Sequence, residues 1–451
     1  MQSLTHSDRS QQISGAIYLK LAALLFVLLL LVYTYPFVFL VEGIDPSLPI
    51  DNQEETTKLV YYLQVAIPLL CIAIAAMYHG DLSFGIPAVI LVFPLVCLAS
   101  TAWSIDPYNT FKAASTLILF IFATAAICSL LEIDVYCNVV IKVMIFVILS
   151  SVVMAIAFPK YGTHQVGDIF DDIRVGVWRG VFSHKNQLGE AASLSTFTFL
   201  CFRRPVGAPL VLWVIYTAAA IACLVFASSA GAFFTVCGLL LYYWLVRVTA
   251  GQSIVLALLI IAATLIVYTV FQLFADDLVA LVGKDMTFTG RTEIWSIALD
   301  AAWERPVLGF GYFAATMDPL GIDALRPILT LGMKSIAVHN GYLNVLIDTG
   351  IVGLTSLAMW FLIVIVRGLQ RVNASTSPER DYFMLLVFFP IGTVFFSFVE
   401  GVLHDPRGLI GALTFSSLTA IPCYLRASLV SPDRRLLRTR PKPSDLSPKN
   451  G

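Results

Sequence analysis

The sequence predicts an all-α integral membrane protein of about twelve transmembrane helices, with one large, partly helical external loop between the ninth and tenth. Three observations carry this prediction. Apolar residues fill 58% of the 451 positions and charged residues only 13%, against roughly 45–50% and 25% in soluble domains. Runs without charge recur along the chain at the length a bilayer demands, about 20 residues for a hydrocarbon core ~30 Å thick. The polar residues are gathered into a few segments between those runs, and mean hydropathy is +0.85. A formal net charge of −1 leaves no cationic excess with which to hold a nucleic-acid backbone.

The spans follow in order. Residues 21–41, 59–78, 82–105, 113–131 and 143–159 contain no Asp, Glu, Lys or Arg and predict five helices. A sixth lies over 187–202. Residues 205–246 form a 42-residue charge-free run, too long for one crossing and interrupted by Ser228-Ser229-Ala230-Gly231, so a helical hairpin is expected. Residues 248–275 make the ninth span, and 341–366, 382–399 and 408–425 make the last three. The first run exceeds the ~7–15 apolar residues of a secretory signal and is not followed by a small-residue cleavage site, so it is expected to remain as an anchor.

Orientation follows from the basic residues, which stay on the cytoplasmic side near span ends. An inside N-terminus places Arg9, Lys20, Arg203, Arg204, Arg247, Arg367, Arg371, Arg380 and the arginine-rich tail inside. The first external loop then carries Glu42, Asp45, Asp51, Glu54 and Glu55 against one Lys58. The expected organisation is a cytoplasmic N-terminus over 1–20, nine spans over 21–275 with an external loop at 160–185, an external subdomain over 276–340, three spans over 341–425, and a basic cytoplasmic tail over 426–451. Eight cysteines sit in or beside apolar runs without C-x-x-C spacing, and are expected as buried small residues rather than metal ligands.

The chemistry is expected outside the membrane. Residues 276–339 hold thirteen charged side chains, more than a connector needs. Ile294, Ile297, Ala298, Ala301 and Ala302 have helical spacing after Gly290 at an expected N-cap, and Trp295 and Trp303 suit the lipid interface. Basic residues outside run against the positive-inside bias, and here they are Arg174, Arg179, Lys185, Arg291, Arg305, Arg326 and Lys334, with His184 and His339 among them. Guanidinium forks bind phosphate oxygens bidentately, so the set suits a diphosphate ligand. The alternative is that the arginines form loop salt bridges with Asp168, Asp171, Asp172, Glu293 and Glu304. His339 stands at the start of the tenth span, where the helix dipole favours a neutral imidazole able to accept a hydroxyl proton. The alternative there is that His339 or Asn340 only caps the helix.

These residues also carry a resemblance. His339-Asn340, nine residues, then Gly350-Ile351-Val352-Gly353 resembles the H-[NSQ]-x9-G-x-x-G signature of the bacterial O-antigen ligase and polymerase superfamily. The segment Arg179-Gly180-Val181-Phe182-Ser183-His184-Lys185-Asn186-Gln187-Leu188-Gly189 is similar to the element opening a middle helix of that family. Gly290-Arg291-Thr292-Glu293-Ile294-Trp295, followed by Pro306-Val307-Leu308-Gly309-Phe310-Gly311, resembles the start of its large periplasmic loop. The resemblance implies a GT-C-like, metal-independent, inverting glycosyltransferase of the bacterial inner membrane, without cofactor and with its active site facing the periplasm. Its donor would be an undecaprenyl-diphosphate-linked glycan and its acceptor another glycan or a glycolipid such as lipid A-core. It implies His339 as the catalytic base and Arg179 and Arg291, with Arg174 and Lys185, as the diphosphate-binding residues; His184 and Asn340 are secondary candidates. The Ser-His-Lys-Asn wording is most similar to the exopolysaccharide polymerase branch, with ligase the alternative. A transporter or flippase of the same lipid-linked sugar is the rival class. It would place ionisable residues at mid-bilayer, whereas Glu190, Asp348 and Glu400 lie near span ends.

Overall fold

The computed structural model describes residues 6–37, 54–80, 84, 86–165, 175–202, 204, 208–248, 289–317, 321–326 and 338–430. These residues are helical throughout, with a single isolated bridge, Thr163 to Trp178, in place of any strand. The helices are α1 (His6–Thr34), α2 (Glu54–His79), α3 (Val92–Ala99), α4 (Pro107–Leu130), α5 (Ile133–Ala157), α6 (Lys185–Cys201), α7 (Leu210–Phe226), α8 (Ala230–Val248), α9 (Thr289–Glu304), α10 (Gly341–Ala374), α11 (Glu379–Phe396) and α12 (Gly408–Val430). Among the described residues seven helices are long and apolar enough to cross a membrane, and Ala88–Ala102 and Leu210–Phe226 are shorter apolar helices. The chain is a multi-pass membrane protein. The expected ninth span at 248–275 lies outside the described residues but for Val248, as do residues 166–174 of the 160–185 loop, residues 276–288, 318–320 and 327–337 of the 276–340 loop, and the tail from 431.

Local signals set the helix starts. Pro107 at the first position of α4 needs no donor, and the Asp106 carboxylate before it accepts the Asn109 N–H at 3.1 Å. The long apolar run breaks at Ala227 to Ser229, where Ser228 takes φ +49°, and α7 and α8 form the hairpin. A large apolar core joins the bundle, and a smaller cluster of Ile294, Ala298, Ala301, Phe310, Ile322 and Leu325 packs on Val338 and Ile347. Thus α9 buries the face that its helical spacing marked. The helix begins at Thr289, so Gly290 falls inside its first turn rather than capping it. Trp303 is exposed, whereas Trp295 turns inward and donates its indole N–H to the Val338 carbonyl at 3.0 Å.

Alternate helices run antiparallel, so one set of ends converges. The Phe37 N–H meets the Val181 carbonyl, Ile105 meets Phe310, Trp178 meets Phe226 and Gly341 meets Ser397, at 2.7–3.0 Å. At the opposite end Tyr424 reaches Leu131, Tyr243 reaches Cys201, and Arg371 pairs with Glu379. The first group defines what is called below the His339 end. Among the described residues, every non-glycine with positive φ lies there: Tyr35, Phe37, Ser228, Phe313 and His339. Each such conformation costs on the order of 1–3 kcal/mol and persists only where neighbours over-determine it.

A seam of backbone bonds explains the glycine signature. α10 is interrupted at Gly350, whose φ of +62° and ψ of −167° are not helical. The break frees the Ile347 and Asp348 carbonyls, which accept the Phe310 N–H at 2.9 Å and the Gly311 N–H at 2.8 Å. The Ile351 and Val352 N–H groups, left without helical partners, donate to the Pro306 and Val307 carbonyls at 2.9 and 3.3 Å. A Cβ at Gly350 would collide with the Val307 carbonyl. The two motifs, Pro306 to Gly311 and Gly350 to Gly353, are therefore halves of one splice. Its physical demand is that no backbone donor or acceptor be left bare in the interior.

Candidate active site

His339 is presented by two anchored neighbours. Val338 is buried with its carbonyl held by Trp295, and Asn340 is buried with its side-chain oxygen accepting the Tyr342 and Leu343 N–H groups at 3.0 and 3.1 Å. Asn340 is thus the helix cap, which leaves His339 free of that duty. Held between the two, His339 adopts φ +49°. Its Nδ1 lies 3.2 Å from Glu400 Oε2, with 27% and 15% of the two side chains exposed.

Glu400 follows α11, in the loop over 397–407 that leads to α12. Its second oxygen accepts a hydrogen bond from the Asn186 side chain on the first turn of α6. Asn186 therefore orients a carboxylate, and the carboxylate faces the imidazole. A carboxylate accepting from Nδ1–H leaves Nε2 as the basic nitrogen, which is the tautomer a general base needs. Glu190, one turn further along the same face of α6, is buried within the electrostatic reach of Glu400 and Asp405.

The start of α6 is closed by two histidines. His184 is the N-cap, and its Nδ1 accepts the Asn186 N–H at 3.1 Å. His164 is fully buried, and its Nε2 accepts the Lys185 N–H at 3.2 Å. The rings stand 5.6 Å apart. Burial pushes His164 down to about 4, with the positive charges of Arg179 and Lys185 adding to the effect. Burial likewise pushes His184 down to about 4 against the pull of Glu400, with His164, Lys185 and His339 helping to lower it. Both rings are neutral acceptors at neutral pH, so the fixed positive charge at this helix start is Lys185.

Arg179 is buried to 1%, and its Nε and Nη2 donate to the Tyr161 and Lys160 carbonyls at 2.8 and 3.1 Å. The Arg179 and Gly180 N–H groups both reach the Gly162 carbonyl at 2.9 Å. Gly180 takes φ +62° with Ser151 where a Cβ would sit, which only glycine allows. This arginine ties the turn that carries His164 to the strand-like segment leading into α6. Arg291 falls in the first turn of α9, and its side chain lies outside the described ones; Arg174 and Lys334 lie outside the described residues altogether. Arg305 lies over the Phe310 ring at 4.8 Å and Arg326 pairs with Asp323 at 3.0 Å.

The structure thus brings His339, His184, Lys185 and Asn340 to one end, and it adds residues that the sequence reading did not assign: Glu400 and Asn186 beside His339, and His164 beside Lys185. The signal that could have found Glu400 is a lone ionisable residue closing an apolar run at the His339 end.

Residues 212–358, from α7 through the first half of α10, match the family model described as O-antigen ligase. The matched stretch contains His339, Asn340, Gly350, Gly353 and the Pro306 to Gly311 segment. Among curated proteins, the exopolysaccharide production protein ExoQ of Rhizobium meliloti (strain 1021) is 28% identical over 284 residues, which is 60% of this chain and 62% of that protein. The alignment therefore spans less than two thirds of the relative's length. With the glycine half of the signature lodged in that splice and the histidine at the start of the same helix, both similarities point the same way, to the O-antigen ligase and polymerase superfamily.

Proposed function

We propose that this protein is an inner-membrane glycosyltransferase that moves a glycan from undecaprenyl diphosphate to an acceptor glycan on the periplasmic side, extending an exopolysaccharide or O-antigen. The observation that carries the reading is the His339–Glu400–Asn186 chain at the end of the bundle where the family signature lies. The similarity to ExoQ favours polymerisation. The description of the matched family model favours the alternative, ligation of the glycan to lipid A-core. A flippase for the same lipid-linked sugar is disfavoured because Glu190 and Asp348 lie within roughly 10 Å of the His339 end, at ~1.5 Å per residue, rather than midway.

In the proposed reaction His339 Nε2 takes the proton from an acceptor hydroxyl. That oxygen attacks the anomeric carbon from the face opposite the diphosphate. The carbon–oxygen bond to the diphosphate breaks, the configuration inverts, and undecaprenyl diphosphate leaves. Glu400 stabilises the imidazolium formed at His339. Arg291, Arg174 and Lys185 meet the charge developing on the diphosphate, a role that fixed cations can fill without a metal ion. Arg179 holds the turn from which that arrangement is built. The full arrangement has twelve spans with both termini cytoplasmic, as the basic residues indicate.

The test is His339→Ala in the native host, with extraction and sizing of the undecaprenyl-linked pool and the finished polysaccharide. Accumulated single repeats with loss of long polymer, at unchanged protein level, support polymerase chemistry. Long polymer that still forms on the lipid carrier but is not passed to lipid A-core favours the ligase. Unchanged product removes His339 from the reaction.

A further inference from the structure

We infer that the buried pair His404–Asp348 is a positioning latch that holds the Glu400 loop against His339, an inference that rests on the roles proposed above for those two residues. His404 Nε2 lies 2.9 Å from Asp348 Oδ2, and both side chains are 1% exposed. The other carboxylate oxygen accepts the Ala315 N–H at 3.2 Å, while the Asp348 carbonyl, freed by the break at Gly350, accepts Gly311. The His404 carbonyl accepts the Tyr312 hydroxyl at 2.8 Å. Phe313, itself at φ +63°, stacks on the His404 ring at 4.9 Å and 26°, and Arg407 lies over Phe313 at 4.4 Å with its guanidinium held by Asp405. Three separate segments therefore close on one ring: α10, the chain over 311–315, and the loop over 397–407.

Glu400 lies between the two points where that loop is fixed. Ser397, at one side, accepts the Gly341 N–H at 2.7 Å, two residues from His339. His404, at the other, is latched to Asp348, nine residues after His339 on α10. Both anchors are on the helix that His339 begins, so the latch sets the register of the carboxylate to the base. Sealed from solvent, the pair has no route to the acceptor proton and acts through Glu400. Among the described residues His404 Nδ1 has no hydrogen-bond partner, so Nε2, facing Asp348, carries the ring's polar contact. A glutamine amide can replace that contact.

The latch is tested on the full chain reconstituted in liposomes, with initial rates measured against lipid-linked donor. His404→Ala is expected to lower kcat by about 10-fold or more, with KM changed by less than about twofold, because misplacement of about 1 Å costs up to about 100-fold. His404→Gln is expected to restore kcat to within about threefold of wild type. Equal losses in both variants, or a loss confined to KM, overturn the inference. Hydrogen exchange of peptides covering 397–407 supplies a readout independent of turnover: exchange is expected to accelerate in His404→Ala and Asp348→Asn but not in His339→Ala. Protected exchange in His404→Ala removes the latch whatever His339 does. A loosened loop beside a fully active His339→Ala removes the chemistry assigned to His339 and leaves the latch as a loop anchor without catalytic consequence.

Discussion

Among the described residues two histidine–carboxylate pairs join the same two segments, the start of α10 and the loop over 397–407, and they differ most in exposure. His339–Glu400 spans 3.2 Å with 27% and 15% of the side chains exposed; His404–Asp348 spans 2.9 Å with 1% and 1%. Similar chemistry at similar distance is therefore open in one case and sealed in the other. The open pair is accessible to a substrate hydroxyl, as the proposed reaction requires. The sealed pair is not, and it is surrounded instead by an aromatic stack and a backbone splice, the marks of a group that fixes position. On the proposed reading, exposure more than residue type divides acid–base work from architecture here. The histidine precedes α10 in the open pair and lies on the loop in the sealed one, so the two contacts cross.

Substitution can break this comparison at several points. The largest effect is expected at the open pair: His339→Ala should lower glycan transfer by about 10²–10⁴-fold, the usual range for a general base, with protein level unchanged on immunoblots of membranes. Gly350→Ala attacks the splice on which the sealed pair depends. It needs a positive φ and places a Cβ against the Val307 carbonyl, so a loss of stability on the order of 3 kcal/mol is expected, read as reduced accumulation and an earlier melt in detergent. Glu400→Gln keeps the shape and removes the charge; a fall in kcat of about 10–100-fold is expected, and an unchanged kcat would reduce Glu400 to a spectator.

Acid probes the histidines behind the open pair. His164 and His184 are held near 4 in the folded protein, below their ordinary 6.5. Their contribution to stability is complete above about 6.5 and is lost as pH falls from there toward about 4, because the unfolded chain takes up protons first. The slope is at most about 1.4 kcal/mol per pH unit for each group. Melting in detergent at pH 7.5 and 5.5 should show the loss, and His164→Gln should flatten it. The smallest effect is expected at Asn340→Ala, about 1 kcal/mol for a lost cap, with transfer reduced far less than by His339→Ala. An equal loss in those two variants would return His339 to a capping role.

Much of the architecture was legible from residues alone. Charge-free runs marked the apolar helices, because a bilayer demands about 20 apolar residues of each crossing; a break of small residues marked the α7–α8 hairpin, and the spacing from Ile294 to Ala302 marked the buried face of α9. The site was legible only in part. His339 stood out because a helix start and a motif coincide there. Glu400, 61 residues later, carried no local pattern that tied it to His339. Arg179 looked like a phosphate ligand, since an external arginine defies the positive-inside bias. Sequence distance conceals that Lys160 and Tyr161 offer it carbonyls.

By itself, then, the sequence determined which segments are apolar enough for a membrane, which face α9 buries, and which histidine precedes α10, because hydropathy, periodicity and capping act over a few residues. Tertiary structure alone decided the partners. It joined Gly350 to Val307, His339 to Glu400 and His404 to Asp348, since a freed carbonyl or an open ring nitrogen is satisfied by whatever the packed helices bring within about 3 Å, and no local preference records which segment that will be.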